Sequence, residues 1–274
     1  MSLNKLNGIK KIGLIAGNGK FPLLFAHAAL THGLEVIAIA IKRDTSPRIR
    51  SLVKKVYWLS LKDYGKMFDI FKKEGIQKVI MAGQVNPQNL FYKDVGDDAL
   101  KALLLAIKDK RPDTVFKAVA DKLAEHSIEL IDSTLLLERH LLQEGVLTRL
   151  KPDAKTWEDI HFGFDMAKRI AGLDIGQTLV VKNGAIVAVE AIEGTDAAIL
   201  RGGKIANGGV VVIKVSKPDQ DMRFDVPVVG PRTIKYLNKV RAKCLVIEAH
   251  KTLVIDQEAC VRFADQKNIA IVAL

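Results

Sequence analysis

At 274 residues, with 49% hydrophobic and 27% charged side chains, the chain has the make-up of a folded protein of one large or two ordinary domains. That composition excludes disorder, and no apolar run reaches the length needed to cross a bilayer. A formal charge of +11 points to anionic partners, while an aromatic content of 6% without aromatic–basic interleaving or zinc spacing speaks against nucleic acid.

No charged-then-apolar leader opens the chain, so a cytoplasmic location is expected. Lys11–Ala16 reads as a buried strand entering the glycine turn GNGKFP, followed by a helix over Phe21–Thr31 that Gly33 closes. Leu34–Ile41 has no polar face, as a strand covered on both sides requires. Val56–Leu59, a helix over Tyr64–Glu74, and Val79–Ala82 leading into GlyGlnValAsnPro continue the alternation. Two helices over Asp97–Lys108 and Asp113–Glu125 and a short strand Ile128–Ile131 complete an α/β half, a Rossmann-like parallel-sheet domain over residues 1–140. Asp132-Ser133-Thr134 offers capping or ligand-contacting oxygens, with capping favoured. Leucines between Leu135 and Leu142 offer either core or an apolar groove.

A polar stretch over Glu144–Lys155 suggests the linker. Residues 141–274 then restart as a separate mixed-sheet α/β domain. It opens with a helix over Glu158–Ala171 and a hairpin, Thr178–Val181 and Ala185–Val189, turning at Asn183-Gly184. Val210–Val215 is a buried strand, Gly230-Pro231 introduces a helix, and Cys244–Ala249, Thr252–Ile255 and Ile269–Ala273 are strands, with a helix over Gln257–Lys267. Cys244 and Cys260 sit in apolar surroundings and are expected as buried thiols, neither disulfide nor metal pair.

The chemistry concentrates where the Val210–Val215 run ends. Lys214, Lys217 and Arg223 are cations suited to phosphate oxygens, and Asp219, Asp221 and Asp225 are hard ligands or water-orienting acids. Glu190, Glu193 and Asp196 gather where a strand gives way to a glycine turn and a helix, either as a surface rim or as a cation site with Thr195 beside it. Opening a phosphoanhydride needs its negative oxygens neutralised and a water held in line, and these residue types suit both tasks. The bland alternative is a solvated, merely charged loop. Gly17-x-Gly19 also raises a dinucleotide reading, with Lys42 and Arg43 facing a 2′-phosphate. Pro22 stands where the third glycine of that fingerprint belongs.

Three blocks, GLIAGNGKFPL, VEAIEGTDA and KPDQDMRFDVPVVGPRT, in this order and over both halves, resemble the UDP-2,3-diacylglucosamine pyrophosphatase family of the LpxI type. The resemblance implies a magnesium-dependent enzyme of lipid A synthesis in Gram-negative bacteria, converting UDP-2,3-diacylglucosamine to UMP and 2,3-diacylglucosamine 1-phosphate. It implies a Rossmann-like first domain, a separate α/β second domain, and substrate held between them. Asp225 becomes the essential acid and Gly17, Asn18 and Gly19 a nucleotide-side contact. From the residues' own chemistry, Lys214, Lys217, Arg223 and Thr195 are the candidate phosphate-binding set, and Asp225, Asp221, Asp196 and Glu190 the candidate metal ligands. Asp219 stands where the family pattern leads us to expect glycine. A diacylated substrate places the protein at the inner face of the inner membrane, where a basic surface suits anionic headgroups. A homodimer is left open. The rival readings are an NAD(P)-linked oxidoreductase and a non-catalytic nucleotide-sugar or lipid-binding protein.

Overall fold

The apolar run Lys11–Ala16 forms β1, and every residue of it after Lys11 is buried, because strands lie on both sides and helices on both faces. The computed structural model describes residues 8–84, 97–109 and 111–274. They divide into one unit of Met1–Leu137 with Met222–Asp225, and a second of Glu138–Asp221 with Val226–Leu274.

In the first unit β1 pairs with β2 (Glu35–Ile41) and β4 (Lys78–Ala82), and β3 (Lys55–Leu59) and β5 (Glu129–Leu130) flank them. All pairings are parallel and the order is β3-β2-β1-β4-β5, the arrangement of the first five strands of a doubly wound dinucleotide fold. Alternation splits each strand between two cores. Ile15, Ile37, Ile39, Val79 and Met81 pack with Met67, Phe68 and Phe71 of α2 (Lys66–Lys73) and with Val119 and Leu123 of α4 (Pro112–Glu125). Their neighbours, among them Ile12, Leu14, Val36 and Ile80, are buried too. α1 (Phe21–Thr31), which contacts β1, β2 and β4, contributes buried Phe21, Phe25, Ala26 and Ala29. α3 (Asp98–Ala106) is capped by the Asp97 carboxylate, which accepts the Leu100 N–H at 2.9 Å. Val85, Asn86 and Pro87, expected to follow the β4 turn, lie outside the described residues.

The second unit is a six-stranded mixed sheet in the order β6-β13-β11-β9-β7-β8. β9 (Val211–Lys214), β11 (Cys244–Ile247) and β13 (Ala270–Ala273) are parallel; β7 (Thr178–Lys182) and β8 (Ala185–Val189) run antiparallel at one side. One face packs Leu179, Val181, Val211, Ile213 and Val246 on Ile160, Ala167 and Ala171 of α5 (Ala154–Gly172). The other packs Val180, Val212, Leu245 and Ile271 on buried residues of α6 (Thr195–Ile205), α7 (Pro231–Lys239) and α8 (Gln257–Gln266). A short parallel pair, β10 (Val228–Val229) with β12 (Leu253–Val254), stands apart. Cys244 and Cys260 are buried.

Two details depart from the sequence expectation. The stretch expected to be linker contains β6 (Gly145–Val146), which pairs antiparallel with the edge of β13. α5 begins at Ala154, earlier than the periodicity indicates, because the Asp153 carboxylate accepts the Thr156 N–H at 2.7 Å and starts the helix there. Of the leucines offered as core or groove, Leu135, Leu137 and Leu142 are buried, and Leu142 belongs to the second unit's core. Among the described residues no helix is long and apolar enough to cross a membrane.

The β7–β8 turn illustrates how local chemistry sets the second sheet. Asn183 and Gly184 both have positive φ, at 51° and 72°, as the tight hairpin turn demands. Buried Asp159 of α5 accepts the N–H of Asn183 at 2.9 Å and of Gly184 at 2.6 Å, tying helix to turn. Asp159→Ala strands both donors and is expected to cost about 1–3 kcal/mol in urea unfolding followed by circular dichroism.

Candidate active site

Two sets of sequence-singled residues are assembled, one in each unit. In the first unit the carboxyl ends of β1 and β4 meet, which is where open parallel sheets bind ligands. The Gly17 N–H donates to the Ala82 carbonyl at 2.8 Å, and Asn18 exchanges main-chain bonds with Gln84 at 2.7 and 3.1 Å. A Cβ on Gly17 would lie 2.5 Å from the Gln84 carbonyl oxygen, so glycine is required there by backbone approach. Gly19 has φ of +95°, and its N–H donates to the Asn18 side chain at 2.6 Å. All three N–H groups already donate within the protein, so a nucleotide-side contact at this loop would have to be made through other groups.

The segment Met222–Asp225 belongs to this first unit, although its sequence position placed it in the second domain. Phe224 packs against the first unit's core beside Phe116, with ring centroids 5.7 Å apart, and the Arg223 guanidinium lies 5.9 Å from the Phe224 ring. The Arg223 carbonyl accepts from the Ser133 hydroxyl at 2.6 Å, and that hydroxyl is also 2.6 Å from the Met81 carbonyl near the end of β4. The Met222–Asp225 segment and the Gly17–Gly19 loop are thus attached at the same end of one sheet, near the adjacent β4 residues Met81 and Ala82. Ser133, expected as a cap, is instead the tether.

In the second unit Lys214 ends β9 and is 8% exposed. Its ammonium donates to Thr195 Oγ1 at 2.7 Å, the acceptor it reaches among the described residues, so its other N–H groups are available to an anion. Thr195, at the start of α6, donates in turn to Glu190 Oε1 at 3.0 Å. Glu190 Oε2 is buried with no hydrogen-bond partner. Burial pushes the Asp196 carboxyl above its usual range; Arg232 and Lys214 oppose this and Glu190 adds to it. Asp196 pairs with Arg232 at 2.8 Å. An unpartnered buried carboxylate oxygen and a desolvated acid that feel each other's charge fit a hard divalent ion, which takes one or two protein carboxylates and completes its shell with water and phosphate. Among the described residues no three His, Cys, Asp or Glu side chains gather as a metal site. Of the four acids expected from sequence, Glu190, Asp196 and Asp221 belong to the second unit and Asp225 to the first. Glu193 is drawn away to Arg201 at 2.5 Å, which holds its carboxyl low.

Lys217 forms an ion pair with Asp174 at 2.5 Å, so any anion must compete with that carboxylate. Beside it lies a cluster not anticipated from sequence. Glu248, just past β11, accepts from the Ser216 N–H at 2.8 Å, from Ser216 Oγ at 2.7 Å, and from Lys168 at 2.9 and 3.0 Å; Lys251 approaches at 3.0 Å. An acid directly after a fully apolar parallel strand was the signal available for it. This latch joins the ends of β9 and β11 to α5 and holds the backbone that leads into Lys217.

These are the features of a two-unit α/β protein with charged side chains at the carboxyl ends of parallel strands. The LpxI N-terminal domain family matches residues 11–140 and the LpxI C-terminal domain family residues 143–272. The chain belongs to the LpxI family. A curated relative, the UDP-2,3-diacylglucosamine pyrophosphatase LpxI of Caulobacter vibrioides, is 28% identical over 97% of this chain and 98% of its own length. Among solved structures, the biotin carboxylase domain of Hydrogenobacter thermophilus 2-oxoglutarate carboxylase matches at 14% identity with a TM-score of 0.29, over 72% of this chain and 41% of that one. Campylobacter jejuni biotin carboxylase matches at 12% identity, also with a TM-score of 0.29, over 74% and 43%. The chain spans less than half the length of either structure, and a likeness of this size carries no argument.

Burial alone would raise the Glu248 carboxyl, but hydrogen bonds from Lys168 and Ser216 outweigh it and hold the group below its usual range. A depressed folded-state pKa contributes stability above the unfolded value and loses it as pH falls through the folded one. Urea unfolding across pH should show Glu248→Gln less stable than the parent at pH 7, with the gap closing below about pH 4.

Proposed function

We propose that the protein hydrolyses the pyrophosphate bond of UDP-2,3-diacylglucosamine to UMP and 2,3-diacylglucosamine 1-phosphate, with magnesium as cofactor. The observation that carries this reading is the end-to-end relationship to a pyrophosphatase of that substrate, which spans both units. The phosphate-directed residues support it. Lys214, buried with donors available, meets a phosphate oxygen as a point charge; the Thr195 hydroxyl beside it orients the ammonium. Arg223 and Lys217 add positive charge along the same stretch of chain, and Gly17, Asn18 and Gly19 offer a side-chain-poor surface on the nucleotide side.

Asp225 receives the proton of the attacking water. As the bond from water oxygen to phosphorus forms, the bond from that phosphorus to the bridging oxygen breaks, and its electron pair departs with the leaving phosphate. Magnesium, when bound, neutralises charge on the phosphate oxygens; Glu190 and Asp196 would hold it, with Asp221 and Asp225 as further acids. A net charge of +11 suits residence beside the anionic inner leaflet, where a diacylated substrate lies.

Purified protein given UDP-2,3-diacylglucosamine and magnesium should release UMP, read by chromatography, and chelation should stop it. Asp225→Ala should keep substrate affinity and lose turnover by roughly 10²- to 10⁴-fold. Absence of UMP from the parent protein removes the proposal.

The buried ammonium gives a separate test. Lys214→Met keeps the aliphatic stem and is expected to raise KM and lower kcat, with a combined loss of about 10²-fold in kcat/KM. Unchanged kinetics would take Lys214 out of the phosphate-binding set.

A further inference from the structure

The parallel ladder between β4 and the strand beside it runs regularly until its last rung. The Glu129 N–H donates to the Gln77 carbonyl at 2.8 Å and the Ile131 N–H to the Val79 carbonyl at 3.0 Å. Continuing by two residues on each side, the Ser133 N–H would donate to the Met81 carbonyl. It does not. The Ser133 N–H is turned to the Met222 carbonyl at 3.0 Å, and the Ser133 hydroxyl takes its place 2.6 Å from the Met81 carbonyl. The same hydroxyl lies 2.6 Å from the Arg223 carbonyl. One side chain thus substitutes for a main-chain donor so that the main chain can hold a foreign segment.

Ser133 is fully buried, and its single hydroxyl proton lies between the two carbonyls and serves one of them at a time. Its conformation is set from both sides. The Asp132 carboxylate accepts the Thr134 N–H at 2.7 Å and the Thr134 hydroxyl at 2.6 Å, forming a local turn. On the other side Phe224 seats beside Phe116. The held residues are Met222 and Arg223, and Asp225 follows two positions later.

We propose that Ser133 is a positioning residue: its N–H and hydroxyl dock the Met222–Asp225 segment on the end of β4 and so set where the Asp225 carboxylate stands. This deepens the reading of Asp225 as the acid of the reaction and rests on it. Three substitutions separate the hydroxyl from the space it fills. Ser133→Val and Ser133→Thr have nearly equal volume and differ in the hydroxyl, while Ser133→Ala removes it without added bulk. With UDP-2,3-diacylglucosamine and magnesium, Ser133→Ala and Ser133→Val are expected to lower kcat roughly 10- to 100-fold with little change in KM, and Ser133→Thr to recover most of the loss. Hydrogen exchange read by mass spectrometry should show faster exchange of the segment around 222–225 in Ser133→Ala and Ser133→Val, restored in Ser133→Thr, with β1 and β2 unchanged.

Equal losses in Ser133→Thr and Ser133→Val, or parent-like protection of that segment in Ser133→Ala, would overturn the assignment. If the parent protein releases no UMP, the hydrolase reading fails by itself, and the exchange comparison still decides whether Ser133 docks the segment.

Discussion

The end of β4 carries the main constraint of the first unit. Two successive carbonyls there, Met81 and Ala82, receive donors that do not belong to a regular ladder. Ala82 takes the Gly17 N–H, which draws the glycine loop tight against Gln84. Met81 takes a serine hydroxyl, which frees a main-chain N–H for a segment about ninety residues further along the chain. A buried peptide carbonyl left without a donor is expensive, so both attachments are enforced by the same physics that builds the sheet. In this way the fold's cheapest location for a ligand, the carboxyl edge at a change of strand order, also receives the acid-bearing segment.

The second unit solves a different problem. Its parallel strands β9, β11 and β13 are apolar along their length, and charge enters at two carboxyl ends, as Lys214 closing β9 and Glu248 following β11. There the charge is arranged in two grades of satisfaction. The Lys168–Glu248–Ser216 latch is fully bonded and reads as structure, with its carboxylate held ionised by neighbours. The Lys214–Thr195–Glu190–Asp196 set is bonded less completely: one carboxylate oxygen is buried and unpartnered, and one acid is desolvated. Buried charge left short of partners is unfavourable in isolation, and a substrate bringing phosphate oxygens and a hard cation would relieve it. That difference separates scaffold from candidate site more sharply than residue type does, since both clusters contain lysine, an acid and a hydroxyl.

Much was legible along the chain because it depends on local spacing. The apolar runs of β1, β2 and β9 announced strands covered on both faces, Asn183-Gly184 announced the hairpin, and Gly33 and Pro231 marked a helix end and a helix start. Short strands such as β6 and β10 escaped notice: two residues carry no periodicity, and pairing with a distant edge is what makes them strands. The N-terminus of α5 is not legible in the sequence, because Asp153 sits in a polar stretch whose composition resembles a linker and only the folded chain shows its carboxylate capping the helix.

By itself the sequence determined the α/β class, the two halves, the family resemblance and the residue types fit for phosphate chemistry, because periodicity, turn residues and charge are properties of neighbours. Tertiary structure alone decided that Met222–Asp225 belongs with the first unit, that Ser133 is what holds it, and that Glu193 and Lys217 are occupied by Arg201 and Asp174. Those outcomes turn on which carbonyl or carboxylate a donor reaches across many residues of chain. Spacing carries no record of that competition; it is settled only when burial makes every unpaired group costly.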